Sequence, residues 1–174
     1  MLFDEVFGIS SLDESKHNIR YREAVRAVIV RDGQILLIHS NKGDYKFPGG
    51  GVEKGESHDH ALLREIAEET GYINAVVKNK IGVVVERQID EYVEEPNAYF
   101  QMTSHYYVCD LIDEEKVALK LEGYESIQQF TPKWVTIEEA IKENHQALTQ
   151  PNPNDWIQRE SYVLSKLVNG LNVE

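Results

Sequence analysis

With 174 residues, 41% of them hydrophobic and 28% charged, the chain has the size and make-up of about one soluble globular unit with room for a core. Its formal charge of −12 argues against coating a long nucleic acid, which is held chiefly by cationic side chains on phosphates. Small phosphorylated ligands stay compatible, provided that bound divalent cations reverse the sign of the local field.

The single cysteine, Cys109, rules out an intrachain disulfide and reads as a buried small hydrophobe. Residues 1–10 contain acidic side chains and no apolar run of signal-peptide length. No stretch approaches the roughly 20 apolar residues of a bilayer span. The expected compartment is the cytoplasm.

In chain order, residues 1–20 form a polar N-terminal extension with a short apolar piece (Leu2, Phe3, Val6, Phe7, Ile9), read as an added edge strand or a homodimer contact. Residues 23–30 and 34–39 are β-rich runs joined by Asp32-Gly33, a pair that signals a hairpin. Residues 41–55 hold Pro48 and three consecutive glycines, Gly49, Gly50 and Gly51, and read as an ordered loop. Ser57 is the expected N-cap of a helix ending near Thr70, with Gly71 as its stop and Ala61, Leu62, Ile66 and Ala67 on its buried face.

Further strands are expected at residues 75–87, 99–111 and 129–135, with an acidic hairpin loop at 90–97. Thr136 caps a short helix to about Asn144, and an amphipathic helix at 154–170 closes the chain. Strands and helices mix without regular βαβ alternation, so the expected class is α/β of the α+β type, with a mixed sheet packed by helices in a single domain.

The segment that carries chemistry is Gly50, Glu56 and then Arg64-Glu65-Ile66-Ala67-Glu68-Glu69-Thr70-Gly71-Tyr72. Glu65, Glu68 and Glu69 stand at i, i+3 and i+4, so a helix projects all three from one face. Their mutual repulsion is relieved by a hard divalent cation, and Mg²⁺ prefers carboxylate oxygens while keeping waters that a phosphate can replace. Glu56 can join the cluster if its loop folds back. Arg64 can pair with Glu68 or Glu56, fixing a carboxylate rotamer. Glu-rich helices are usually solvated faces, but seven fixed positions at about 7% usage each coincide with a probability on the order of 10⁻⁸.

At every fixed position residues 50–72 match the Nudix box, and residues 47–53 resemble the lead-in of that family; Tyr72 stands where an aliphatic residue is more usual. The resemblance extends from about Arg22 to Asn144. It implies the Nudix fold, an α/β/α sandwich with the box as loop-helix-loop. It also implies metal ligation by Glu65, Glu68, Glu69, the Gly50 carbonyl and Glu56, with Mg²⁺ as the ion and Mn²⁺ as a substitute. The implied reaction is attack of water on a diphosphate linkage of a nucleotide derivative. Glu65 is the first candidate for the base. The distal candidates are Glu125, Glu122 and the loop residues Glu91, Glu94 and Glu95.

Signals for the substrate are weaker. The proline typical of ADP-ribose pyrophosphatases is replaced by Arg87-Gln88-Ile89, and the signatures of NADH pyrophosphatases and coenzyme A hydrolases are missing. Phe47, Tyr99, Phe100, Tyr106 and Tyr107 could stack a base or fill a core. His39, His58, His60, His105 and His145 have no zinc-ligand spacing and read as ordinary. The competing reading is a non-catalytic nucleotide-sensing or partner-binding domain, with prenyl diphosphate isomerisation a third.

Overall fold

A computed structural model describes residues 1–170. The elements are β1 (Phe3–Gly8), β2 (Asn18–Val28), β3 (Val30–Arg31), β4 (Gln34–His39), β5 (Tyr45–Lys46), α1 (His58–Thr70), β6 (Ala75–Ile89), β7 (Ala98–Leu111), α2 (Gly123–Ile127), β8 (Thr131–Val135), α3 (Ile137–Ala147) and α4 (Ile157–Gly170).

One sheet has the order β1-β6-β7-β2, with β1 parallel to β6, β2 parallel to β7, and β6 antiparallel to β7. The other is built on β4, which pairs antiparallel with β3, β5 and β8. The Asp32-Gly33 turn forms as expected, with φ of 51° and 74°, the left-handed pair of a tight hairpin. Its first strand, however, is only β3. Residues 23–28 belong to β2 and pair with β7 in the other sheet, where the two faces of the apolar run 25–28 are covered by α1 and α4.

Central strands are buried on two sides. In β2, Val25 and Ala27 face a cluster with Ala61, Leu62 and Ile66 of α1, while Val28 faces Val163, Leu164 and Leu167 of α4. In β4, Ile35 and Leu37 join the α4 side and Leu36 the α1 side. Period-2 alternation between two apolar layers accounts for continuous hydrophobic runs in place of an apolar-polar alternation. The result is helices on both faces of the strands, the α/β/α arrangement.

The N-terminal apolar piece becomes the edge strand. Phe3 pairs with Gly82, and its ring lies where a Cβ on Gly82 would stand, 2.1 Å from the nearest ring atom. In α4, Ile157, Val163, Leu164 and Leu167 are buried, whereas Val168 is exposed. The N-terminal piece thus takes the edge-strand place of the two expected for it. Cys109 is buried, and burial pushes its thiol pKa up to about 12, as suits an inert packing residue. No described helix is long and apolar enough to cross a membrane.

The last helix starts at Ile157, later than expected, because the 150–156 segment turns; β8 starts at Thr131 and α3 runs on to Ala147, and the unexpected α2 falls in a stretch with no apolar periodicity to announce it.

Candidate active site

Helix α1 is set by local chemistry. The Ser57 side chain accepts a hydrogen bond from the His60 N–H, and Gly71 closes the helix at φ 83° with its N–H on the Ala67 carbonyl. Ala61, Leu62 and Ile66 are buried as expected, and Ala67 is half-buried. This fixes which way Glu65, Glu68 and Glu69 project.

Arg64 gathers the cluster. Its guanidinium donates two hydrogen bonds of 3.0 Å to the Glu56 carboxylate, one of 2.8 Å to Glu65, one of 3.3 Å to Glu68 and one of 3.0 Å to the Gly51 carbonyl. The loop bearing Glu56 does fold back. Hydrogen bonding from Arg64 holds the Glu56 carboxyl below its ordinary range, while burial and the neighbouring Glu65 push Glu68 up.

Glu69 has a different environment. One oxygen lies 2.7 Å from Lys46 Nζ, the other accepts the Gly49 N–H at 2.9 Å, and the side chains are only 4% (Lys46) and 1% (Glu69) exposed. Burial raises the Glu69 pKa despite the Lys46 charge.

The glycine run is shaped by close approach. A Cβ on Gly50 would stand 2.3–2.8 Å from the atoms of the Glu65 carboxylate, and one on Gly49, at φ 143°, would meet the Val25 carbonyl at 2.0 Å. Gly50 therefore lets a carboxylate rest directly against the backbone.

The distal candidates separate. Glu125 accepts a hydrogen bond from the Glu122 N–H at 3.1 Å, so its carboxylate holds the start of α2. Glu122 takes the reciprocal part in the same cap, and its charge adds slightly to the rise at Glu68. Glu91, Glu94 and Glu95 are exposed in the 90–97 loop, and Glu95 accepts from Asn18.

Beside Gly50 opens a cleft of about 360 Å³. Its floor follows from sheet register: Glu86 stands opposite Met102, Gln88 opposite Phe100, and Arg22 opposite Met102, so all point from one face. Arg26, on the same face, donates to the Gly49 carbonyl at 2.7 Å. Tyr92, Tyr124 and Trp156 close the sides. A larger depression, about 580 Å³, includes Lys42, Glu143 and Pro153 but none of the clustered carboxylates.

Sequence reasoning missed Lys46, Arg22 and Arg26. A signal existed, since Arg20, Arg22 and Arg26 share the parity that puts them on one strand face. Of the stacking candidates only Phe100 lines this cleft; Phe47 and Tyr106 are core, Tyr99 packs on His17, and Tyr107 contacts His58.

A family model described as the NUDIX domain matches residues 20–158. The chain therefore belongs to the Nudix family, with MutT-like proteins among its relatives. Over 64 residues it is 47% identical to an ADP-ribose pyrophosphatase of Methanocaldococcus jannaschii, covering 34% of this chain and 37% of that protein. Over 82 residues it is 35% identical to a putative 8-oxo-dGTP diphosphatase of Bacillus subtilis, covering 46% and 52%. The matched part spans about half or less of each of these relatives. Among solved structures, a UDP-X diphosphatase superposes with a TM-score of 0.53 at 21% identity, over 90% of this chain and 67% of that one. The E. coli ORF135 protein gives 0.53 at 22% identity, over 93% and 99%. These likenesses show the fold.

Proposed function

We propose that this protein hydrolyses the diphosphate linkage of a small nucleotide, either a nucleoside diphosphate joined to another group or a nucleoside triphosphate. The observation that carries the reading is the convergence of Glu56, Glu65 and Glu68 on one cation, the Arg64 guanidinium, beside a glycine backbone and an arginine-walled cleft.

The donor set fits a hard divalent ion. Three carboxylates converge, and the Cβ-free Gly50 lets Glu65 sit against its backbone. The proposed ligands are Glu56, Glu65, Glu68, Glu69 and the Gly50 carbonyl, for Mg²⁺ or in its place Mn²⁺. Glu69 contributes through the lone pairs that its two hydrogen bonds leave free. Such ions, when bound, polarise phosphoryl oxygens and lower the pKa of the attacking water.

The remaining roles belong to the chain's own groups. Arg64 is a positioning residue that holds Glu56 and Glu65 in place. Glu65 is the proposed base, with Glu125 and Glu122, which cap the start of α2 reciprocally, as the distal candidates. Arg22 and Arg26 would meet the phosphates, and Phe100, Tyr124 and Trp156 the base.

The test is phosphate and nucleotide release across a nucleotide panel with Mg²⁺, wild type against Glu68→Gln. Glu68 is half-exposed, so the variant should fold within about 0.5 kcal/mol of wild type. Its rate should fall by more than the roughly 10- to 100-fold typical of losing an outer-shell partner. Equal rates would overturn the reading. Tight nucleotide binding with no turnover under any metal would favour a sensing domain.

A further inference from the structure

The side chains of Glu23, His58 and His105 meet outside the carboxylate cluster. His58 Nε2 and His105 Nε2 each lie 2.9 Å from the same Glu23 oxygen. All three donor atoms fall within 4.8 Å of one another. They come from α1, β7 and β2, so no sequence spacing announces them. We propose that these three residues form a second divalent-cation site, selective for the imidazole-preferring class that Zn²⁺ represents.

The geometry is close to what such an ion needs. At Zn–N and Zn–O bonds of about 2.0–2.2 Å, tetrahedral donors stand roughly 3.3 Å apart. The two Glu23–imidazole separations of 2.9 Å are a few tenths of an ångström short of that, Glu23 is exposed enough to adjust them, and the two imidazole nitrogens lie within 4.8 Å of each other. Two imidazoles and one carboxylate leave a fourth position open to water.

Two further observations point the same way. His58 Nδ1 lies 2.7 Å from the Tyr107 hydroxyl; with the proton on Nδ1, the ring donates to Tyr107 and presents its Nε2 lone pair to the site. Neither ring nitrogen of His105 makes a well-directed hydrogen bond, although both are shielded from solvent. Buried polar atoms are normally satisfied, so Nε2, 2.9 Å from Glu23 but poorly aligned for a hydrogen bond to it, keeps a lone pair available for ligation.

Opposing charges are present. Lys80 and the positive end of α1 disfavour a cation, and Glu23 with Asp59 offset them. Mg²⁺ would not displace water for imidazole, which separates this site from the carboxylate cluster. His58 is seven residues before Glu65, or about 10 Å along the helix at 1.5 Å per residue. An ion here would tie β2 and β7 to the start of α1. The Glu23 carbonyl also accepts the Val52 N–H at 2.9 Å, so the tie reaches the loop entering the box.

The experiment is titration of metal-stripped protein with Co²⁺ in excess Mg²⁺, read by visible ligand-field absorption, followed by displacement with Zn²⁺. Wild type and Glu65→Gln/Glu68→Gln should each take up one Co²⁺ per chain with equal affinity. Glu23→Gln, a surface change that leaves folding intact, should weaken uptake at least tenfold, and His105→Gln should abolish it. Zn²⁺ should raise the unfolding temperature of wild type but not of Glu23→Gln. No ligand-field band in folded wild type would overturn the proposal. So would a band that survives His105→Gln and disappears in Glu65→Gln/Glu68→Gln.

Discussion

Lys46 Nζ lies 2.7 Å from a Glu69 oxygen in a pair almost wholly removed from water. The same ammonium donates to the Gly49 carbonyl at 3.2 Å, so one cation joins the acidic helix to the glycine loop. A buried ion pair is costly to form, yet removing one partner strands the other charge. Replacing Lys46 with Met should therefore destabilise the protein by about 3–5 kcal/mol. In urea unfolding, Lys46→Met/Glu69→Met should recover much of that loss, because both charges then leave the interior. Equal midpoints for wild type and Lys46→Met would show that the pair contributes nothing.

The neighbouring glycines should respond differently. A Cβ at Gly50 meets the end of the Glu65 side chain, whereas one at Gly49 meets Val25 backbone at 2.0 Å with φ at 143°. Gly50→Ala should fold, at a cost of about 1–3 kcal/mol, but lose activity as Glu65 is pushed aside. Gly49→Ala should fail to accumulate as folded protein. Comparison of thermal melts with turnover distinguishes the two, and an active Gly50→Ala would contradict the role given to Glu65.

In the cleft, Arg22 is exposed and Tyr124 is 50% exposed, so neither is needed for folding. Arg22→Ala and Tyr124→Ala should each raise KM for a nucleotide substrate. Loss of base stacking on Tyr124 is worth about 1–3 kcal/mol, or roughly 10- to 100-fold. Unchanged KM in both would place the substrate elsewhere.

Arg20 holds Asp90 through hydrogen bonds of 2.7 and 3.0 Å, at the root of the loop that carries Tyr92 to the cleft. The Arg20 hydrogen bonds keep the Asp90 carboxyl below its ordinary 3.8. A folded pKa below the unfolded one means stability fully present above about pH 3.8 and lost as pH falls through the folded value. Asp90→Asn should remove that dependence: its stability deficit at neutral pH should close under acid. A deficit that stays constant with pH would rule the pair out as its source.

Much of the carboxylate cluster is legible in the residue order alone. The limits of α1, the Ser57 cap, the Gly71 stop, the Asp32-Gly33 turn and the shared face of Glu65, Glu68 and Glu69 all depend on neighbours within about one helical turn or one tight turn. Local sterics, left-handed torsions and the 3.6-residue period settle such features, so the residues themselves determine them. The cation that balances Glu69 lies 23 positions away, Arg22 reaches the cleft through the parallel register of β2 with β7, and Glu23 is 35 positions from His58. Those meetings depend on which strands pair and in what register, which no local pattern encodes. For that reason five histidines that look ordinary in sequence divide in the fold, and His58 and His105 converge on a single carboxylate oxygen.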